Sequence, residues 1–216
     1  MIEAVVFDLD GVLLDSEQVW DEVREGLARE RGGRWHPGAQ RDMMGMSSRE
    51  WSRYMHEVVG LAESPEEINR EVVARLLGRY AGSPPWLPGA LDAVRRLATR
   101  WPLALASSSN REVIEAVLAA GGIAGCFRAI VSSEEVPRGK PAPDVYLEAA
   151  RRIGTEPARC AAIEDSQNGI RAAKAAGMRC VAIPNARFPP GEATAEADVV
   201  VASVAELGPD VVDPNG

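Results

Sequence analysis

Cysteine is scarce in this chain. Cys126, Cys160 and Cys180 are the three thiols of 216 residues, widely spaced and without a Cys-x-x-Cys pair. Such a set encodes neither a disulfide framework nor a zinc site. Cys160 and Cys180 stand at apolar runs, and the burial habit of free cysteine makes inert core thiols the expectation. Long apolar stretches are missing too. None approaches the ~20 residues of a membrane span. The N-terminus also lacks the basic region and small-residue cleavage site of a signal peptide, so a cytoplasmic protein with no membrane partner is expected. Positive charge is in deficit as well. Lys plus Arg total 24 against 32 for Asp plus Glu, a net charge of -8, and that field repels polyanions. Nucleic acid is therefore disfavoured as a partner. A compact phosphorylated metabolite is not, because a local cation and a metal can override the global field.

What is present is ordinary for a folded protein: 46% hydrophobic and 26% charged residues. The length exceeds the ~150-residue domain norm, which leaves open one domain with a large insertion or two small domains. Short apolar runs at 4 to 7 (AVVF), 103 to 107 (LALAS), 129 to 132 (AIVS), 160 to 164 (CAAIE), 180 to 184 (CVAIP) and 198 to 202 (DVVVA) read as strands. Helix-period stripes lie between them, for example Val113, Ile114, Val117 and Leu118, or Ile170, Ala173 and Ala176. Strand alternating with helix predicts an α/β fold, a Rossmann-like parallel sheet with helices on both faces.

Residues 15 to 84 break that rhythm, offering helical stripes and no strand run. Val19, Trp20, Val23 and Leu27 form one stripe; Trp51, Tyr54, Met55 and Val58 a second; Ile68, Val72, Val73, Leu76 and Leu77 a third. Ser64, Pro65 and Glu67 give the third an N-cap, a proline at its first position and a capping box. The segment reads as an α-helical insertion. His36 and His56 lie in it without the carboxylate or cysteine spacing of a metal site, so packing or surface roles are expected.

Four segments carry chemistry, each following an expected strand end, where ligands of open α/β sheets gather. DLDGVLLDSE at 8 to 17 places Asp8 and Asp10 on one side of the chain. Two carboxylates crowded there are unfavourable unless a cation joins them, and hard oxygen donors suit magnesium. A carboxylate is also a competent nucleophile toward phosphorus. ALASSSN at 104 to 110 brings Ser107, Ser108, Ser109 and Asn110 before a helix whose first amides can bind phosphate. GKPAPDVY at 139 to 146 sets Lys140 against two prolines, and IEDSQNGI at 163 to 170 supplies Glu164 and Asp165. Taken singly, each segment has an ordinary explanation: a turn, an N-cap, a surface lysine, a helix-dipole partner.

In this order and on this scaffold, the four together resemble the four motifs of the haloacid dehalogenase superfamily. The resemblance implies a core domain over residues 1–14 and 85–216 and a helical cap domain over 15–84, with the first and fourth strands side by side. It implies Asp8 as nucleophile and Asp10 as general acid/base, Asp10 also lending its backbone carbonyl to a magnesium ion. Ser107 would hold the transferring phosphoryl group, with Ser108 and Asn110 beside it. Lys140 would balance charge, Asp165 would ligate the metal with Asp8, and Glu164 would support it through water. Gly45 and Arg49, in GMSSRE at 45 to 50, resemble a substrate-contacting cap loop.

The implied activity is a magnesium-dependent phosphatase acting on a small phosphorylated metabolite, of the sugar or polyol phosphate class, through an aspartyl phosphate. An Asp at position 10 suits phosphate monoesters rather than dehalogenation, and the absence of lysine from 15 to 84 argues against the phosphonatase branch. A phosphomutase of the β-phosphoglucomutase type is the alternative, since it would share every core residue. Those mutases carry a His early in the first cap helix, where this chain has SEQVWDEV with Trp20. A binding module without catalysis is a third reading, weakened by the presence of Asp8, Asp10, Lys140 and Asp165 together.

Overall fold

A computed structural model of the chain describes residues 1–185 and 189–214. Strand β1 (Ala4–Phe7) is followed by four helices, α1 (Glu17–Glu30), α2 (Ala39–Met43), α3 (Ser48–Glu57) and α4 (Pro65–Tyr80). The alternation then begins: α5 (Ala90–Ala98), β2 (Leu103–Ser107), α6 (Arg111–Ala120), β3 (Phe127–Ser132) and α7 (Asp144–Ile153). It ends with β4 (Cys160–Glu164), α8 (Gln167–Ala175), β5 (Arg179–Ala182), β6 (Val199–Val200) and a short α9 (Pro209–Val212).

All six strands form one parallel sheet in the order β3-β2-β1-β4-β5-β6. The chain builds outward from β1 to β3, then crosses back to place β4 on the other side of β1. That reversal opens a crevice at the carboxyl ends of β1 and β4. Side-chain alternation divides the core. Val5, Phe7, Leu105 and Ile163 pack on one face, against α5 and α6 residues such as Val94 and Val117. Val6, Ala104, Ala106 and Ala162 pack on the other, against Tyr146 and Ala149 of α7 and Ile170 of α8. Burial on both faces explains why these strands are nearly continuous apolar runs.

Two expected strands come out shorter than read. The run at 180 to 184 yields β5 only to Ala182, although Ile183 still donates its N–H to the Glu164 carbonyl (2.7 Å). Pro184, lacking an N–H, ends the ladder. The run at 198 to 202 gives only Val199–Val200, a two-residue edge strand held by β5. Strand β3, conversely, starts at Phe127 because Phe127 pairs with Leu103 before a shift in register. Cys160 and Cys180 are buried thiols, and burial pushes them up to about 11 and about 12.

Residues 15 to 84 contain α1–α4 and no sheet strand. Their stripes pack on one another: Trp20 meets Trp51 edge-on at 6.0 Å, and Val23, Leu27, Met55, Val72 and Leu76 are buried around them. Ser64 and Glu67 form the reciprocal cap, with Glu67 N–H donating to Ser64 Oγ and Ser64 N–H to Glu67 Oε2. The chain leaves and rejoins the sheet layer at one place. There Asp15 N–H donates to the Pro85 carbonyl (2.8 Å) and Leu87 N–H to the Leu13 carbonyl (2.9 Å).

Helix α8 begins directly after β4, and Ser166 caps it by accepting from Gly169 N–H (3.1 Å). A Cβ at position 169 would lie 1.9 Å from the buried Glu164 carboxylate. Gly169→Ala should therefore destabilise the protein, although alanine is preferred within helices by about 1 kcal/mol. Overpacking costs about 1–3 kcal/mol, and a displaced Glu164 loses hydrogen bonds as well. A melting temperature lowered by about 2–4 °C is expected; an unchanged or raised one in thermal unfolding would overturn this packing argument.

Candidate active site

Strand β1 delivers Asp8 into the crevice, its N–H donating to the Ile163 carbonyl of β4 (3.0 Å). Leu9 turns into the core, so Asp8 and Asp10 share the other side and line one cavity. The turn that follows uses Gly11 at φ +76°. Any side chain there would be strained, and a Cβ would sit 1.9 Å from Asp165 Oδ2. Glycine is thus required twice over, by the bend and by the neighbouring carboxylate.

Lys140 is the cation of the cluster. Buried between strands, its Nζ donates to Asp8 Oδ1 (2.8 Å) and Glu164 Oε1 (2.6 Å) and lies 5.0 Å from the centre of the Tyr146 ring. Burial opposes its charge, but the Asp8 and Glu164 carboxylates outweigh that and hold the ammonium above the ordinary lysine value. Glu164, fully buried, also accepts from the Tyr146 hydroxyl and from Asp165 N–H. Its fixed position is what leaves no room at Gly169.

Asp8, Glu164 and Asp165 bring one oxygen each within 4.8 Å of the others. Burial pushes the Asp8 carboxyl up to about 8; Lys140 pulls it down, while Glu164 and Asp10 add to the rise. Asp165 is raised well above the carboxylate range, by burial first and then by Glu164 and Asp8. Three acidic groups thus face one ammonium, and Asp165 Oδ2 is buried without a hydrogen-bond partner. Hard oxygen donors, surplus negative charge and an orphaned carboxylate oxygen are what a divalent cation such as magnesium would satisfy.

Asp10 lies outside that trio, and its carboxylate is oriented by neutral donors. Oδ1 accepts from Ser16 Oγ (2.6 Å) and Trp20 Nε1 (3.1 Å), and Oδ2 from Ser109 Oγ (2.6 Å). The group is therefore fixed toward the cavity by neutral donors, with no salt bridge to it among the described residues.

The other expected positions divide. Ser108 and Gly45 line the cavity and touch each other, Ser108 Oγ donating to the Gly45 carbonyl (3.1 Å). Ser107 is fully buried at the end of β2, where its Oγ accepts from Ser109 N–H (3.0 Å); Ser109 rather than Ser107 lines the cavity wall. Asn110 is turned away from the cavity, its Nδ2 donating to Glu134 (2.7 Å) and Asn69 (3.1 Å). Arg49 is not brought to the cavity. It is exposed on the first turn of α3 and lines a separate hollow with Arg53 and Glu134, because α3 turns its Trp51 and Met55 face inward. His36 contacts the Tyr54 hydroxyl (2.8 Å), and His56 contacts the Leu61 and Glu63 carbonyls.

Several lining residues escaped the sequence reading. Glu17 and Arg24 of α1 reach the cavity, and Tyr146 supports Glu164 from behind. A signal for the first two existed: Glu17, Trp20 and Arg24 stand at i, i+3 and i+7, one helical face. The apolar stripe containing Trp20 hid them.

Comparison with known proteins agrees with this geometry. Residues 2–177 match the haloacid dehalogenase-like hydrolase family. Hexitol phosphatase B of Escherichia coli (strain K12) is 33% identical over 218 residues, which cover 95% of this chain and 94% of that protein. The crystal structure of CbbY from Rhodobacter sphaeroides in complex with phosphate superposes with a TM-score of 0.87 at 29% identity, covering 99% of this chain and all of that one. That of β-phosphoglucomutase from Clostridium difficile gives 0.84 at 25% identity, covering 97% and 95%. The family match over most of the chain and the sheet with its cluster of Asp8, Lys140, Glu164 and Asp165 lead to one conclusion: the chain belongs to the haloacid dehalogenase-like hydrolases, as an enzyme of the phosphoric monoester hydrolase class.

Proposed function

We propose that the protein hydrolyses a small phosphorylated metabolite, of the sugar or polyol phosphate class, through a phosphorylated Asp8. The observation that carries this reading is the buried Lys140 bridging Asp8 and Glu164 beside an unpartnered Asp165 oxygen, with Asp10 fixed in the same cavity. Its kinship with a hexitol phosphatase supports the substrate class.

In the first step a carboxylate oxygen of Asp8 attacks phosphorus, forming an O–P bond as the ester O–P bond breaks. Asp10 enters this step protonated and gives its proton to the departing alkoxide. In the second, water attacks the same phosphorus, Asp10 takes the water proton, and the bond to Asp8 breaks to release phosphate. Lys140 offsets charge on Asp8 throughout. Ser108 and Ser109, the serines after β2 that line the cavity, are the groups suited to hold phosphoryl oxygens. A magnesium ion bound by Asp8, Asp165 and the Asp10 carbonyl, with Glu164 behind, would supply the positive charge that phosphoryl transfer needs.

The same reading assigns residues 1–14 and 85–216 to a core and 15–84 to a cap that opens for substrate. The cavity beside Asp8 and Asp10 holds about 50 Å³, small against the roughly 300–1,000 Å³ of ligand pockets. Polar contacts between the two parts include Ser48 Oγ to Glu134, Asn110 to Asn69, Ser108 to Gly45 and Asn168 to Met44, and one hydrophobic cluster also runs through both. A β-phosphoglucomutase-type reaction would use the same core residues. Trp20, bonded to Asp10 where those mutases carry a His, favours the phosphatase.

Four outcomes test this. Asp8→Asn should retain the fold by circular dichroism yet lose nearly all turnover, because an amide is a poor nucleophile. Phosphate release should require magnesium and be inhibited by calcium, whose looser, higher coordination would misplace Asp8; normal rates with calcium would contradict the site. Asp10→Asn should slow turnover about 10²- to 10⁴-fold. Given a nitrophenyl phosphate, that variant should accumulate phosphorylated Asp8 by mass spectrometry. If wild type converts β-glucose 1-phosphate, primed with 1,6-bisphosphate, to glucose 6-phosphate with little free phosphate, the mutase reading replaces this one.

A further inference from the structure

Among the described residues that line the cavity from positions 15 to 84, Glu17 and Arg24 alone carry charge; the rest are tryptophan, methionine and glycine. Arg24 is an unusual residue for a helix interior face. It is 5% exposed, and its guanidinium carbon lies 4.4 Å from the Trp20 ring centre and 4.7 Å from that of Trp51. Two aromatic rings therefore fix the fork before any ligand arrives. Its polar contacts are weak. Nη1 reaches Gln40 Oε1 only at 3.4 Å and Nε is buried with no hydrogen-bond partner, while the carboxylates of Glu17, Asp10 and Asp21 act on its charge from nearby. Buried donors left unused in this way are uncommon and call for an acceptor. Gln40 in turn holds Glu17, donating to its Oε2 (2.9 Å) and its carbonyl (3.2 Å), so the two charged groups are set as a unit.

We infer that Arg24, with Glu17, is the specificity-determining pair of this site: the guanidinium donates to hydroxyl oxygens of an uncharged polyhydroxylated leaving group, and Glu17 accepts from a neighbouring hydroxyl. This rests on the phosphatase reading above and narrows it. Charge selects the class. One carboxylate beside one guanidinium leaves no surplus positive charge for a second phosphate or a substrate carboxylate, which would also meet Glu17 directly. A donor fork and an acceptor side by side match the alternating donors and acceptors of vicinal hydroxyls.

The test is steady-state phosphate release, with magnesium, from glucitol 6-phosphate, phosphoglycolate, fructose 1,6-bisphosphate and p-nitrophenyl phosphate, the last having no hydroxyls. Wild type should favour glucitol 6-phosphate over phosphoglycolate and the bisphosphate by about tenfold or more in kcat/KM. Arg24→Met, which retains a side chain to pack on the tryptophans, should lower the ratio of glucitol 6-phosphate to nitrophenyl phosphate kcat/KM about 10- to 100-fold, the range of a lost charged hydrogen bond. Arg24→Lys should recover only part of it, since an ammonium lacks the planar fork. Glu17→Gln, which leaves the stacked tryptophans untouched, should lower the same ratio. A purely structural role would depress both substrates together and keep the ratio within about threefold, overturning the inference, as would a wild-type preference for the charged substrates. If nitrophenyl phosphate is cleaved but the polyol preference is absent, only the specificity assignment falls. Failure to release phosphate from all four would instead sink the phosphatase reading and this inference with it.

Discussion

Lys140 is the point on which the site's architecture depends. Its ammonium is the sole cation bonded to Asp8 or Glu164 among the described residues, and both carboxylates are buried. Removing one member of a buried ion pair strands the other, at about 3–5 kcal/mol. Each support around it answers that constraint. Tyr146 donates to the same Glu164 oxygen as Lys140 and the Asp165 amide to the other, Gly169 makes way for its carboxylate, and the β1–β4 pairing fixes Asp8 across from it. Asp165, left without a donor on Oδ2, is the place where the cluster still lacks a counter-charge.

Asp10 is held on different terms. Its three donors come from three parts of the chain: Ser16 at the exit from the sheet layer, Trp20 in α1 and Ser109 after β2. None is charged, so the carboxylate is aimed by neutral hydrogen bonds. Trp20 also meets Trp51 edge-on and packs under Arg24, which links the orientation of Asp10 to the packing of α1 and α3.

Most of the sheet was legible because doubly buried parallel strands leave unbroken apolar runs, as in Ala4–Phe7 and Leu103–Ser107. The edge was not: Val199–Val200 has one neighbour, and the apolar run around it extends past the residues that pair. Asp8, Asp10, Lys140 and Asp165 could be picked out because each follows a strand end, and the sheet order brings strand ends together. Arg49 misled, since whether a residue on α3 faces the cavity depends on how the helix is rotated, and Trp51 and Met55 set that rotation. Arg24 was hidden for the opposite reason. A charged residue next to an apolar stripe reads as solvated, and only the two tryptophans around it reveal otherwise. Gly169 looks like an ordinary helix glycine until the Glu164 side chain is in place.

The sheet order also bears on how the chain is made. Strand β1 is synthesised first, yet it lies at the centre, between β2 and β4. While the ribosome has delivered only as far as β3, a three-stranded sheet can form, but one side of Ala4–Phe7 has no partner until residues 160–164 emerge. This wholly apolar, fully buried strand is therefore an open edge for much of translation, a template for pairing with other nascent chains. The arrival of β4 closes that edge and, in the same event, brings Glu164 and Asp165 to Asp8, so loss of the vulnerable edge and assembly of the charged cluster coincide.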